Sequence, residues 1–185
     1  MLPLKNTTQR FGVITQLFHW IIAGIIIVNY YLVYRRDYIP ETNPDNLAYI
    51  LLHKALGVTV IILGVLFVIW RLTNTKPLLP SSTPHYEKIL AKATHHTLLV
   101  LILLMPLTGL LLSVFGGRPT SVFGLFTIPA LAEANKEWQT IFYTLHEWIS
   151  YIIIGLVSLH VLGALKHQFF YKDNVLRRIL PVKLK

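Results

Sequence analysis

The sequence contains no cysteine and only two methionines. The absence of cysteine excludes disulfides, thiolate-ligated metal centres and the Cys-x-x-Cys-His motif that attaches haem covalently. Acidic residues are also few, with 8 aspartates and glutamates against 17 lysines and arginines in a chain of 185 residues. If the protein binds a transition metal, its eight histidines are therefore the main candidate ligands.

Charged residues are missing from four long stretches of the chain. Hydrophobic residues make up 54% of the sequence and the mean hydropathy is +0.57, values too high for a soluble domain of this size. The stretches without Asp, Glu, Lys or Arg are residues 11–34, 55–70, 93–117 and 148–165. Each of them matches a membrane-spanning helix of about 20 residues.

These stretches predict an all-α membrane protein, a four-transmembrane-helix bundle that forms a single domain over residues 1–185. The first stretch is long and aromatic, and no small-residue cleavage site follows it, so we expect a retained span rather than a signal peptide. The connection before the fourth span contains apolar residues between 122 and 128, and we expect part of it to lie on the outer membrane surface. The predicted spans are about 12–34, 47–70, 93–115 and 144–166.

The basic residues are distributed unevenly between the two sides of such a membrane protein. With four spans, the N-terminus, the second connection and the C-terminus share one side, which carries twelve of the 17 basic residues. This positive-inside bias predicts that both termini are cytoplasmic. It also attributes the net charge of +9 to topology and to attraction by anionic lipid, rather than to nucleic-acid binding. The twelve are Lys5, Arg10, Arg71, Lys76, Lys88, Lys92, Lys166, Lys172, Arg177, Arg178, Lys183 and Lys185, and the other five are Arg35, Arg36, Lys54, Arg118 and Lys136.

Two histidines in the last predicted span, His146 and His160, lie 14 residues apart. On an α-helix this separation amounts to four turns less about 40°, so both rings project from nearly one face, about 21 Å apart along the axis. His19 lies early in the first span and His53 lies at the start of the second. The directions of the spans then pair the histidines by depth. His19 and His160 lie on the cytoplasmic side, and His53 and His146 lie on the outer side.

Four histidines at two depths can ligate two stacked metal centres. In a chain without cysteine, bis-histidine haem is the leading candidate for both centres. A single histidine near a helix end is usually an interfacial hydrogen-bonding residue, and only the joint pattern indicates ligands. His95 and His96 could compete with His19 for His160, but the third span has no outer histidine to match them, so contact with a haem propionate is the favoured role.

The same residues resemble a known family, the bacterial cytochrome b561 family of four-helix dihaem membrane proteins. Its relatives include the cytochrome b subunits of nickel-iron hydrogenases and formate dehydrogenases. One departure is that this chain has His167 followed by Gln168, where relatives carry two adjacent histidines. The matching segments are RFGVITQLFHW at 10–20, HKALG at 53–57, residues 91–95, PLTG at 106–109, IPALAEAN at 128–135, HE at 146–147, His160 and HQFFYKDN at 167–174.

The resemblance implies two non-covalent haem b groups in the bacterial inner membrane and membrane quinone, ubiquinone in particular, as a redox partner. Some stand-alone members resemble superoxide oxidases, which pass electrons from superoxide to ubiquinone. The main alternative is a haem-bearing anchor that conducts electrons for a separate dehydrogenase, hydrogenase or periplasmic redox partner. A histidine-based metal transporter is a third interpretation, but transporters commonly bind their substrate near the midplane.

His167 is the candidate for the quinone site. It follows His160 by seven residues, about 20° short of two helical turns, and therefore shares the same side of the fourth helix roughly 10 Å nearer the cytoplasm. Reduction of quinone consumes protons, and histidine is the side chain best suited to deliver them near neutral pH. The alternative is a histidine at a helix end that only reaches toward the membrane surface.

Overall fold

The computed structural model describes residues 3–182, and four long α-helices make up most of this range. Each of the four is long and apolar enough to cross a membrane, so the prediction of an all-α, four-span membrane protein is confirmed. Lys183 and Lys185, which enter the charge count above, lie outside the described residues. The helices are α1 (Val13–Asp37), α2 (Pro44–Thr73), α3 (His85–Phe115) and α4 (Lys136–Lys166). A π-helical segment, His167–Tyr171, and a short 3-10 helix, Leu176–Arg178, follow α4.

The helices extend beyond the apolar runs that predicted them. α3 begins at His85 and α4 begins at Lys136, each ahead of the predicted membrane span, which starts near residue 93 or 144 respectively. The predicted bounds followed hydrophobicity alone, whereas helical hydrogen bonding continues through residues with good helix propensity such as Glu87, Lys88 and Ala91. His85 precedes the predicted third span, which puts it in the second connection, but this prediction is wrong because His85 opens α3.

A β-hairpin stands in the connection between α3 and α4, for which the sequence predicted contact with the outer membrane surface but no secondary structure. Strand β1 (Thr120–Val122) pairs antiparallel with β2 (Phe126–Ile128). Phe123 and Gly124 form the turn, with φ values of 52° and 73°. Both values lie in the left-handed region, and the Leu125 N–H donates to the Val122 carbonyl at 3.0 Å to close a β-turn within the three-residue connection 123–125.

The chain forms two compact units, and every one of the four helices contributes residues to both. The first unit takes the described parts of residues 1–21, 65–101 and 151–185. The second unit takes residues 22–64 and 102–150. His19, His160 and His167 therefore belong to the first unit, and His53 and His146 belong to the second.

Each unit contains polar contacts between its helices as well as apolar packing. In the first unit the indole nitrogen of Trp70 donates to the Thr15 hydroxyl at 2.9 Å. In the second unit the Tyr30 hydroxyl donates to the Ser150 carbonyl at 2.7 Å. Many apolar helix residues face outward, among them Ile27 with 69% of its surface exposed. Such exposure is expected where helices contact lipid rather than water.

Candidate haem centres and the His167 segment

The second unit brings the rings of His53 and His146 together. Their centroids lie 6.1 Å apart and their planes are nearly perpendicular, at 88°. His53 comes from α2 and His146 from α4, so each ring is held by a separate helix. These are the two histidines that the depth argument paired at the outer side.

The protonation state of His146 follows from its hydrogen bond. Its Nδ1 lies 2.9 Å from the carbonyl oxygen of Met105. A carbonyl can only accept a hydrogen bond, so Nδ1 must carry the proton and donate it. The lone pair of Nε2 is then directed away from this bond and is available to a metal. Metal-ligating histidines are held by their second nitrogen in this way.

His53 presents a different environment. Its Nδ1 is buried and forms no hydrogen bond of normal geometry among residues 3–182, although the ring interacts with the backbone of Asn29. A buried ring nitrogen that lacks a well-formed hydrogen bond fits the requirement of a bound prosthetic group.

The first unit brings together three histidine rings. The centroids of His19 and His160 lie 6.2 Å apart, with an angle of 56° between the ring planes. The centroid of His95 lies 5.0 Å from that of His160. His95 lies ten residues after His85, the first residue of α3, and therefore not at the end of the helix. His96 is exposed, and its Nδ1 bonds to the Lys92 carbonyl of its own helix at 2.6 Å.

The ring spacing discriminates between these pairs. A first-row transition metal lies about 2 Å from each imidazole nitrogen, and each ring centroid lies about 1 Å behind that nitrogen, so two rings across one iron have centroids about 6 Å apart. The His19–His160 and His53–His146 spacings of 6.2 and 6.1 Å match this distance. The His95–His160 spacing of 5.0 Å is about 1 Å too short for the same arrangement. Both matching pairs therefore fit a bis-histidine haem.

Open space lies beside several helical glycines. A Cβ atom added at Gly24 in the second unit, or at Gly155 or Gly163 in the first, would meet no heavy atom within 4 Å. Gly155 and Gly163 flank His160 on α4. A flat macrocycle needs a helix surface that it can approach closely, and glycine provides one.

His167 lies in the π-helical segment that follows α4 and is buried, with 9% of its surface exposed. Its Nδ1 lies 2.6 Å from the Asp173 carboxylate. This bond leaves Nε2 as the free nitrogen of the ring. Asp173 also lines a cavity of about 510 Å³ in the first unit, together with Gln168, Phe169, Lys172, Asn174 and Arg177. The tail motif pointed to this segment, but nothing in the spacing identified Asp173 as the partner of His167.

A second polar cluster, centred on Glu87 of α3, lies beside the His167 ring. The Glu87 carboxylate accepts hydrogen bonds from Lys166 at 2.7 Å and from the Tyr171 hydroxyl at 2.8 Å. The ring of Tyr171 lies 5.2 Å from that of His167. Glu87 was not predicted as a functional residue, because it lies before the apolar stretch that predicted the third span.

Comparison with known proteins shows the family to which the chain belongs. The profile of the prokaryotic cytochrome b561 family matches residues 10–182. The chain belongs to this family. Cytochromes b561 bind b-type haem and transfer electrons across membranes, so this protein is a multi-pass membrane cytochrome with a role in electron transfer.

Several curated cytochromes b561 are similar over nearly their whole length. Cytochrome b561 homolog 2 of Escherichia coli K12 is 34% identical over 191 aligned residues, covering 97% of this chain and 95% of the relative. Cytochrome b561 homolog 1 of the same organism is 26% identical, covering 90% and 95%. A protein named "Probable superoxide oxidase CybB" from Yersinia pestis is 24% identical, covering 89% and 92%.

Proposed function

We propose that this protein carries two haem b groups in the bacterial inner membrane, one ligated by His19 and His160 and the other by His53 and His146. The observation that carries the proposal is the spacing of both ring pairs, 6.2 and 6.1 Å between centroids, which suits one iron between each pair. Haem supplies the one-electron couple that amino acid side chains lack. The chain's own part is to hold four imidazoles neutral, fixed in orientation and away from water.

We further propose that electrons leave the protein to ubiquinone beside His167. Quinone becomes quinol when it takes up two electrons and two protons. A haem held by His19 and His160 would supply the electrons one at a time, while the protons must come from the cytoplasm. His167 is suited to deliver a proton from Nε2, because Asp173 accepts the hydrogen bond of Nδ1 and holds the ring in one orientation.

The Asp173 side chain contacts both His167 and solvent. Its side chain is 20% exposed, and it lines the 510 Å³ cavity beside His167. A cavity of this size is in the range that binds small molecules, about 300 to 1,000 Å³. Nε2 of His167 takes up a proton from the cytoplasm and releases it to the quinone oxygen, while Nδ1–H stays hydrogen-bonded to the Asp173 carboxylate, which stabilises the ring when both nitrogens carry a proton. The pair thereby acts as a proton relay.

Superoxide is the proposed electron donor at the outer centre. Each superoxide loses one electron and becomes dioxygen, so two superoxide ions and two protons convert one quinone into quinol. The relative named as a probable superoxide oxidase supports this choice. Because the outer side carries acidic residues as well as basic ones, attraction of an anion would depend on a local patch, and Arg35 with Arg36 at the end of α1 supplies one.

The test is made on purified protein in detergent or in quinone-containing liposomes. We expect two haem b per chain, rapid haem reduction by enzymatically generated superoxide, and accumulation of ubiquinol without any other protein. One haem per chain would contradict the two-centre proposal. Two haems that are reduced by superoxide only when a soluble dehydrogenase is added, or that reduce no quinone alone, would favour the electron-conducting anchor instead.

A further inference from the structure

Helix α3 contributes no ligand to the His53–His146 pair, yet three of its groups contact the His146 ring. The Met105 carbonyl lies 2.9 Å from Nδ1. The Thr108 hydroxyl oxygen lies 3.2 Å from the same nitrogen. Gly109 follows directly, and a Cβ atom at that position would lie 2.8 Å from Cε1 of the ring. Residues 105–109 thus form a cradle for one side of His146.

The hydrogen of the Thr108 hydroxyl has a defined direction. The hydroxyl donates to the Met105 carbonyl at 2.7 Å. Its lone pairs therefore face the His146 N–H, which already points at the Met105 oxygen. Nδ1–H is shared between two oxygen atoms, and both present their negative ends to the imidazole.

Such an arrangement changes the ring as a ligand. Oxygen acceptors at Nδ1–H draw the proton outward and make Nε2 a stronger electron donor. A stronger donor stabilises ferric iron more than ferrous iron, which lowers the midpoint potential.

We infer that the 105–109 cradle of α3 is a positioning element for His146, in which Thr108 sets the donor strength of the ring and Gly109 sets its orientation. This inference rests on the proposed function, because it takes His146 as a haem ligand. Thr108 and Gly109 act through His146 and touch no iron themselves. Helix α3 therefore positions a ligand of the His53–His146 centre, although it contributes no histidine to that centre.

The first test replaces the hydroxyl of Thr108 by a methyl group of the same size, in Thr108→Val. We expect the midpoint potential of one haem to rise while the other stays unchanged, because an oxygen dipole that favours ferric iron is lost. Thr108→Ser keeps the hydroxyl and should restore the original potential. Thr59→Val is the matched control, because Thr59 also donates to a carbonyl of its own helix, that of Ala55 at 3.0 Å, and should leave both potentials unchanged.

The second test fills the space beside the ring with Gly109→Ala. The added methyl group must displace the imidazole, so we expect a shifted low-spin ferric EPR signal for one haem, or selective loss of that haem. Gly64→Ala is the control, since its Cβ would also meet an atom at 2.8 Å, but that atom is a terminal methyl of Leu103 that can rotate away. Both haem signals should survive this control.

The outcomes distinguish failure of His146 as a haem ligand from failure of the 105–109 cradle. If His146→Ala leaves two haems with unchanged spectra, the ligand assignment itself fails. If His146→Ala removes one haem, but Thr108→Val leaves both potentials unchanged and Gly109→Ala leaves both EPR signals unchanged, only the cradle is disproved. If Thr108→Ser shifts the potential as far as Thr108→Val does, the hydroxyl is not the cause, and the role of Thr108 is disproved.

Discussion

The histidines differ in their hydrogen bonds at Nδ1 and in the distances between their rings, and both properties affect how well each ring can bind iron. His146 has its proton fixed on Nδ1 by a backbone carbonyl, and His95 forms the same kind of bond, with Nδ1 at 2.6 Å from the Ala91 carbonyl of its own helix. What distinguishes His95 from His19 is distance, because its ring lies 5.0 Å from His160 rather than 6.2 Å. An iron atom between two imidazoles requires the longer separation. His95 is therefore better placed to contact the edge of a haem than to bind its iron.

The ring spacing leads to a prediction about paired losses of haem. His19→Ala and His160→Ala should each remove the same haem, because an imidazole opposite an empty position holds iron weakly. His53→Ala and His146→Ala should each remove the other. Haem content and redox titration of each purified variant measure this directly.

His95→Ala is the control for these variants, and it should keep both haems. The pairing would be disproved if His95→Ala lost the haem that His19→Ala retained. It would equally be disproved if His19→Ala and His53→Ala removed the same haem.

A second prediction at this scale concerns the proton relay. His167→Ala and Asp173→Asn should keep both haem spectra, because neither residue is proposed to bind iron. Both should slow haem oxidation by ubiquinone, by about 100-fold for the histidine if it acts as a general acid. The measurement is stopped-flow oxidation of the pre-reduced cytochrome. Phe170→Ala is the control, because Phe170 belongs to the same segment, is 80% exposed and does not line the cavity. Wild-type rates in His167→Ala would remove His167 from the quinone site.

At the scale of elements, the sequence predicted the helices and the histidine pairs but not the contacts around them. The pairing needed only span order and helical rise, and both are properties of the sequence. The Met105 carbonyl could not be foreseen, because every residue has one and only packing decides which carbonyl meets a ring. The position of His95 along α3 could not be foreseen either, because the apolar run that predicted the third span begins at residue 93, whereas α3 begins at His85.

The outer hairpin was missed for a different reason. Its turn uses Phe123 and Gly124, both at positive φ, whereas the recognisable signal for such a turn is Asn-Gly or Asp-Gly. A bulky aromatic residue is rare in this conformation. The tip is also apolar and outward-facing, with Leu125 exposed over 82% of its surface and Phe123 over 52%.

These features support the expectation that the connection lies on the outer membrane surface. Because the chain has no cysteine, Leu125→Cys provides a unique site for a spin label. We expect the label at this position to be accessible to oxygen, which dissolves in lipid, and protected from a water-soluble nickel chelate. Glu133→Cys in the same connection is the control, because Glu133 is a charged, exposed residue whose label should meet the chelate. Equal accessibility of both labels to the chelate would place the hairpin in water.

The buried side-chain amide of Gln16 is one of several groups that attach the segment after α4 to the start of α1, together with Arg10 and Trp20. The Gln16 side-chain nitrogen donates to the carbonyls of Phe11 at 3.1 Å and Leu180 at 3.2 Å, and Gln16 is only 4% exposed. Gln16→Leu would leave these carbonyls without their donor, at a cost of about 1–3 kcal/mol. We expect a lower thermal unfolding midpoint in detergent, measured by circular dichroism. Gln9→Leu on the exposed surface should leave the midpoint unchanged. Equal midpoints for the two variants would show that the Gln16 amide does not stabilise the fold.

The largest scale is the orientation of the whole molecule in the membrane, on which the direction of electron flow depends. Twelve of the 17 basic residues lie on the side shared by the termini and the second connection, so that side is predicted to face the cytoplasm. The cytoplasmic protons needed for quinol then reach His167, and superoxide meets the opposite side. If the orientation is reversed, both the cytoplasmic source of protons for His167 and the outer position of superoxide are wrong.

The orientation is testable with single cysteines in the otherwise cysteine-free chain. Ser82→Cys, in the exposed turn before α3, should react with a membrane-impermeant maleimide only after the cells are broken, because that turn is predicted to be cytoplasmic. Glu133→Cys should react in intact spheroplasts, because its connection is predicted to face outward. Haem content of both variants shows that the protein remains folded. The reverse labelling pattern would move the His19–His160 centre and His167 to the outer side, and quinone reduction would then draw its protons from the periplasm.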